Sequence, residues 1–236
     1  MGGWPRIAGL RVVMSWPDSE FAPAPPPRGR GRVRLAGFAG GCLVFGGVIA
    51  MLIAVLAQQH APAPAASAAG KLGPGGAGPS LHQSLPVSVA IPTIGVQSKL
   101  LHLGRNEDGT MEVPNLITSA NEAAWYKYSV TPGQIGTAVI EGHLDSYQGP
   151  AVFFRLGALR PGNRINVTLA DGITAVFRVT GVREYAKGKY PATTIYAPAN
   201  YAALRLITCG GDFDAATGHY LSSVVVFASL VSSSHK

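Results

Sequence analysis

The run LAGFAGGCLVFGGVIAMLIAVLA, from Leu35 to Ala57, contains no charged residue and no proline. At a helical rise of about 1.5 Å per residue, a stretch of this length crosses a hydrocarbon layer of about 30 Å. The apolar core of a cleaved signal peptide is shorter, about 7–15 residues, and follows a short basic lead. Here a long tail precedes the run. Small-residue cleavage sites such as Ala61-Pro62-Ala63 follow it, but its length favours a retained anchor. Arg28, Arg30, Arg32 and Arg34 stand directly before the span, and the next basic residue is Lys71. The bias of positive charge then places the N-terminus in the cytoplasm and everything after Ala57 outside the cell.

The rest of the chain divides by composition. Residues 1–34, with APAPPPRGRGR, show no sustained apolar period and read as a disordered cytoplasmic tail. Residues 58–85 form an Ala/Pro/Gly/Ser-rich linker. From Pro86 to Val231 the pattern changes to short alternating or β-branched runs separated by Gly, Pro, Asn and Asp, and 232–236 is a short C-terminal tail. Strands are expected in VSVAIPTIGV, TAVIEGH, RINVTL, TAVFRVTGVREY, LRLITC and SVVVFASLV, with a hairpin turn at Asp171-Gly172. Helical signals are confined to a turn or two in GPAVFFRLGAL and in PANYAAL. Many short strands and few helices predict a mainly β domain, a closed or nearly closed barrel that leaves no edge unpaired.

Charge narrows the function. Seven Lys/Arg and two Asp/Glu lie before Pro86, against twelve and ten after it, so the net charge of +7 belongs mostly to the front of the chain. The outer domain has no dense basic patch interleaved with aromatic residues, which disfavours nucleic acid as a partner. No glycine-rich phosphate loop and no Cys/His/carboxylate spacing of a metal site appears, so neither cofactor nor metal is expected. Cys42 falls inside the apolar span, which leaves Cys209 as a lone cysteine in an exported domain. In an oxidising compartment structural cysteines usually come in pairs, so a single one needs explaining. Cys209 and His143 each end an expected strand, where a barrel rim can bring distant residues together. A thiol becomes a useful nucleophile when a base or a positive field makes its thiolate accessible.

The segments AVIEGHLDS, FFRLGALRPGNRINV, LRLITCGG and VVVFA, in that order, resemble the sortases, membrane-anchored cysteine transpeptidases of Gram-positive surfaces. TCGG followed by FD and TGHY is most similar to the class F sortases of actinobacteria. The resemblance covers about Val87 to Val231. It implies a sortase-type barrel of about eight strands with a few short helices, preceded by the transmembrane helix. It also implies that Cys209 attacks the carbonyl of a C-terminal, LPXTG-like sorting signal to form a thioester, and that His143 protonates the leaving amine and deprotonates the incoming one. The partners implied are surface proteins bearing that signal and an amine of a peptidoglycan precursor.

The family also uses an arginine, usually from the strand after the cysteine, and here the match fails. Leu221, Ser222 and Ser223 occupy that region. Backbone N–H groups beside the glycines after Cys209 are one replacement. Arg155, inside VFFRLGAL, is the preferred side-chain candidate. Arg205 is the substitute, on the strand face of Cys209 but about 13 Å along it. Asp145 and Ser146 are candidates to orient His143, and Glu141, on the same strand face, would favour its imidazolium if close. His219 is an alternative base, and Thr208 points away from Cys209 into the core. A sortase-fold binding module without activity and a plain thiol hydrolase are the competing readings.

Overall fold

The computed structural model describes residues 60–71, 73 and 80–235. The tail and the apolar span expected at 35–57, with Cys42, lie outside the described residues. Among those described, no helix is long and apolar enough to cross a membrane.

The strands are β1 (Pro86–Ile91), β2 (Val96–Leu103), β3 (Ala123–Tyr126), β4 (Gly136–Glu141), β5 (Asp145–Ser146), β6 (Gly149–Pro150), β7 (Arg164–Leu169), β8 (Ile173–Ala186), β9 (Ala202–Asp214) and β10 (His219–His235). Eight of them close into a barrel in the order β1-β2-β3-β4-β9-β10-β8-β7, and β5 and β6 form a small separate ribbon. Most neighbours are antiparallel, but β2–β3 and β4–β9 run parallel. The fold is therefore mainly β, a closed eight-stranded barrel with a few short helices.

Local chemistry accounts for the corners. Asp171 Oδ1 accepts the Ile173 N–H, and Gly172, at φ +82°, turns β7 into β8. VSVAIPTIGV is two strands, because Pro92–Ile94 winds into a 3₁₀ turn that Gly95 ends at φ +71°. GPAVFFRLGAL contains the 3₁₀ turn Leu156–Ala158. PANYAAL departs from expectation: it leads straight into β9, and the short helix α1 (Ala192–Ile195) lies upstream of it. β10 pairs with β8 as far as His235, past the tail boundary expected at Val231.

Burial explains why the central strands read as apolar runs rather than strict alternations. Ala138, Ile140, Leu204, Leu206, Val224 and Val226 belong to the main core. Their alternates Val139, Ile207, Val225 and Phe227 form a second cluster with Ile195, against which Tyr185, Tyr190 and Tyr196 pack. The connection from β8 to β9, carrying α1, thus covers the other face of β4, β9 and β10. Strands buried on both faces lose the polar half of their pattern.

Part of the Ala/Pro-rich linker is laid against the barrel. Ala68 is fully buried, and Arg183 donates from Nε to Ala69 O at 3.2 Å and from Nη2 to Gly70 O at 3.4 Å. Two glycines make room for this strap: a Cβ on Gly157 would stand 1.9 Å from Pro62 O, and one on Gly181 2.5 Å from Ala69 O. Gly157→Ala and Gly181→Ala are each expected to cost about 1–3 kcal/mol, as overpacking does, seen as a lower melting temperature. Removing residues 60–70 should abolish that difference between variant and parent.

Candidate active site

Cys209 lies on β9, 5 % exposed, at the point where the strand leaves the core: residues 202–210 are buried and 211–213 are exposed. The strand does not end there, as its sequence suggested. β9 continues to Asp214 and pairs with β10 as a projecting hairpin, with an irregularity between Tyr220 and Ser222. Gly210 and Gly211 allow that departure, since a Cβ on either would stand 2.7 Å from the Val224 or Ser222 side chain. On a regular strand Cys209 shares a face with Ile207 and Arg205.

The parallel ladder of β4 and β9 brings the histidine alongside. Glu141 pairs with Ile207, and the Gly142 N–H still donates to Ile207 O at 3.2 Å. His143 is the next residue, which the register sets level with Cys209. Its loop is held from the other side, where Phe153 N–H donates to His143 O at 2.9 Å and Ala151 N–H to Leu144 O at 3.0 Å. Gly142 permits this approach, because a Cβ there would stand 2.6 Å from Val152.

His143 is 3 % exposed and its Nε2 lies 2.6 Å from Pro114 O. A carbonyl only accepts, so Nε2 carries the hydrogen and Nδ1 is the basic nitrogen of the neutral ring. Burial lowers its pKa, opposed by the bond to Pro114 and by the charge of Asp145. Pro114 belongs to a distant connection that no sequence signal linked to the site.

The neighbouring acids differ in setting. Asp145 accepts a short hydrogen bond from the Tyr220 hydroxyl, which ties the β9–β10 hairpin to the histidine loop. Tyr220 was missed in the sequence, although the motif TGHY contains it. Its phenol is pushed up by burial, by Asp145 and by the nearby Cys209. Ser146 Oγ bonds Gly149 O at 3.3 Å across the β5–β6 turn. Glu141 is 1 % exposed, its Oε2 has no hydrogen-bond partner, and burial raises its pKa well above the carboxylate range. The shift favours its neutral form, which gives no charge to an imidazolium.

The remaining candidates are spread out. Arg205 is 5 % exposed, with its guanidinium carbon 4.6 Å from the Phe227 ring centre and Nη1 donating to Leu204 O at 3.2 Å. Arg155 is exposed at the entry to the Leu156–Ala158 turn, two residues beyond the contact with His143. Ser223, where the arginine was sought, is buried and pairs with Cys209 across β10. Thr208 is fully buried opposite Val224, and His219 pairs with Asp214 out on the hairpin. Among the described residues no group of three or more His, Cys, Asp or Glu could hold a metal ion.

Two measurements test this geometry. The His143 ring should titrate below 6.5 by NMR. With its folded pKa below the unfolded value, the unfolded chain binds more protons, so stability should fall as pH drops from 6.5 through the folded pKa. Tyr220→Phe should cost about 1–3 kcal/mol, the scale of a lost hydrogen bond to a charged group, and slow turnover by loosening the histidine loop.

Residues 89–231 match the family of the Sortase domain. Among solved structures, sortase A of Listeria monocytogenes is similar at 17% identity and TM-score 0.48, over 66% of this chain and 92% of that one. A sortase of Actinomyces oris is similar at 19% identity and TM-score 0.47, over 68% and 87%. The pilus-related sortase C of Group B Streptococcus gives 13% identity and TM-score 0.46, over 64% and 69%. No curated protein matches. With the domain match spanning more than half of its length, this chain belongs to the sortase family.

Proposed function

We propose that this protein is a class F-like sortase, anchored in the cell membrane by Leu35–Ala57 with its barrel outside the cell. It cleaves a C-terminal LPXTG-like sorting signal and joins the released acyl group to an amine of a cell-wall precursor. The observation that carries this reading is the parallel pairing of β4 with β9, which sets His143 level with Cys209 where β9 emerges from the core.

Cys209 passes its thiol proton to His143 Nδ1, Sγ attacks the carbonyl carbon of the scissile peptide, and the oxygen takes up the displaced electron pair. When the pair returns, the C–N bond breaks and the amine departs with a proton from His143, leaving a thioester. The lowered pKa of His143 suits the second half, in which neutral Nδ1 takes a proton from the incoming amine. A shielded thioester yields more readily to an amine than to water, so the C–S bond breaks to leave a new amide, and the Cys209 thiolate takes the proton back from Nδ1. Arg155, carried by the segment bonded to His143, steadies the negative charge from that flank, with Arg205 as its substitute.

Full-length protein is incubated with a sorting-signal peptide, with and without an amine. Cleavage with amine-dependent product is expected, and it should disappear in Cys209→Ala and fall at least about 10²-fold in His143→Ala, the low end of a general acid–base contribution. No cleavage would support the binding module. Cleavage without transfer would support the thiol hydrolase.

A further inference from the structure

A cation at the end of β8, half-buried with its ammonium out of solvent, is left unused by this chemistry. Lys187 follows β8 directly, in the 3₁₀ turn Lys187–Lys189. Its Nζ is buried and has no hydrogen-bond partner. An ammonium taken out of water with nothing to donate to is costly. A lysine on a turn at the rim has an easier course, lying along the apolar surface with its head in solvent. That the head turns inward instead suggests a partner absent from the resting protein.

The register indicates where that partner would sit. Ser223 of β10 pairs with Cys209 on one side and with Tyr185 of β8 on the other. Tyr185 packs on the same apolar cluster as Ile207, whose strand face Cys209 shares; Lys187 lies two residues on, in the turn past the last β8 pair, Ala186 with Ser222. β8 and β9 lie two strand spacings apart, about 10 Å. Lys187 is offset from the Tyr185–Ser223–Cys209 line by two residues, about 7 Å, and its four-carbon stem reaches back across Ser222 and Ser223 towards Cys209. The surroundings agree. Tyr190, whose N–H bonds Lys187 O at 3.4 Å, and Tyr220, two residues before the Ser222 that pairs with Ala186, have phenols pushed up by burial and, to a lesser degree, by proximity to Cys209. The other cations are placed differently. Arg205 is engaged by Phe227 and Leu204 O, and Arg155 is exposed on the histidine flank.

We propose that Lys187 is a further catalytic residue, whose ammonium faces the developing oxyanion from the β8 side, across the segment Leu221–Ser223, where the chain has no arginine. This rests on the cysteine transpeptidase reading. As the S–C bond forms and the carbonyl pair moves to oxygen, Nζ–H donates to that oxygen. As the pair returns and the C–N bond breaks, the contact relaxes; Lys187 keeps its proton throughout, and the leaving amine's proton comes from His143. The same contact serves when the amine attacks the thioester.

The test compares full-length Lys187→Met and Lys187→Arg with the parent, using the sorting-signal peptide, an amine and a peptide aldehyde. The aldehyde adds to Cys209 as a hemithioacetal, whose oxygen occupies the oxyanion position. Lys187→Met should lower kcat about 10²–10³-fold, the usual loss for one such donor, with KM little changed and aldehyde affinity reduced. Lys187→Arg should recover part of both. If Lys187→Met melts early, Lys187→Gln is read by the same criteria. A Lys187→Met enzyme within twofold of the parent, or one that loses substrate affinity alone, overturns the proposal. Cys209→Ala, run alongside, separates the two failures: turnover surviving there removes the cysteine reading itself.

Discussion

The parallel ladder between β4 and β9 is the contact on which the site depends. The strands lie far apart in sequence, and parallel pairing requires the chain to make a long excursion before returning. Here the excursion includes β5, β6, β7 and β8, so the ladder forms only when most of the barrel is in place. Its register is tightly held, because Ala138, Ile140, Leu204 and Leu206 point into one core and Val139 and Ile207 into another. A slip of one residue would exchange the two sets. The same constraint holds His143 at the level of Cys209, so the geometry of the site follows from the packing of the core.

Polar atoms accumulate around this well-packed centre. Glu141 Oε2, Arg205 Nε, Thr208 Oγ1 and Lys187 Nζ are all buried without hydrogen-bond partners. Each carries a desolvation cost that an apolar side chain would avoid. Burial shifts Glu141 towards its neutral form, which lessens its cost. Arg205 is partly relieved by the Phe227 ring and the Leu204 carbonyl. Lys187 has neither kind of relief. Their concentration on β4, β9 and the turn after β8 is the energetic mark of a region selected for more than stability.

The covering segment between β8 and β9 joins these two aspects. Tyr185, Tyr190 and Tyr196 supply apolar area to the second cluster, while the Tyr190 and Tyr196 hydroxyls meet at 3.3 Å. The covering segment is therefore part of the core that fixes the register. It has few polar ties to the strands beneath it, and Thr137 Oγ1 to Ala197 O, at 2.7 Å, is one of them.

Much of the fold was legible from residues alone. β-branched runs punctuated by Gly, Pro and Asp-Gly mark the strands because those preferences act within a few residues. The lone cysteine, the histidine after TAVIEG and the gap at Leu221–Ser223 were visible for the same reason, as matters of identity and order. The projecting hairpin, the docked strap at Ala68 and the double burial of β4, β9 and β10 were not, since each depends on a partner surface remote in sequence. Likewise Pro114 orients His143, Tyr220 grips Asp145 and Lys187 turns inward only once the barrel has closed. Composition and local pattern decided which groups this chain possesses; closure of the sheet decided which of them meet, because desolvation and register act only between surfaces that packing has joined.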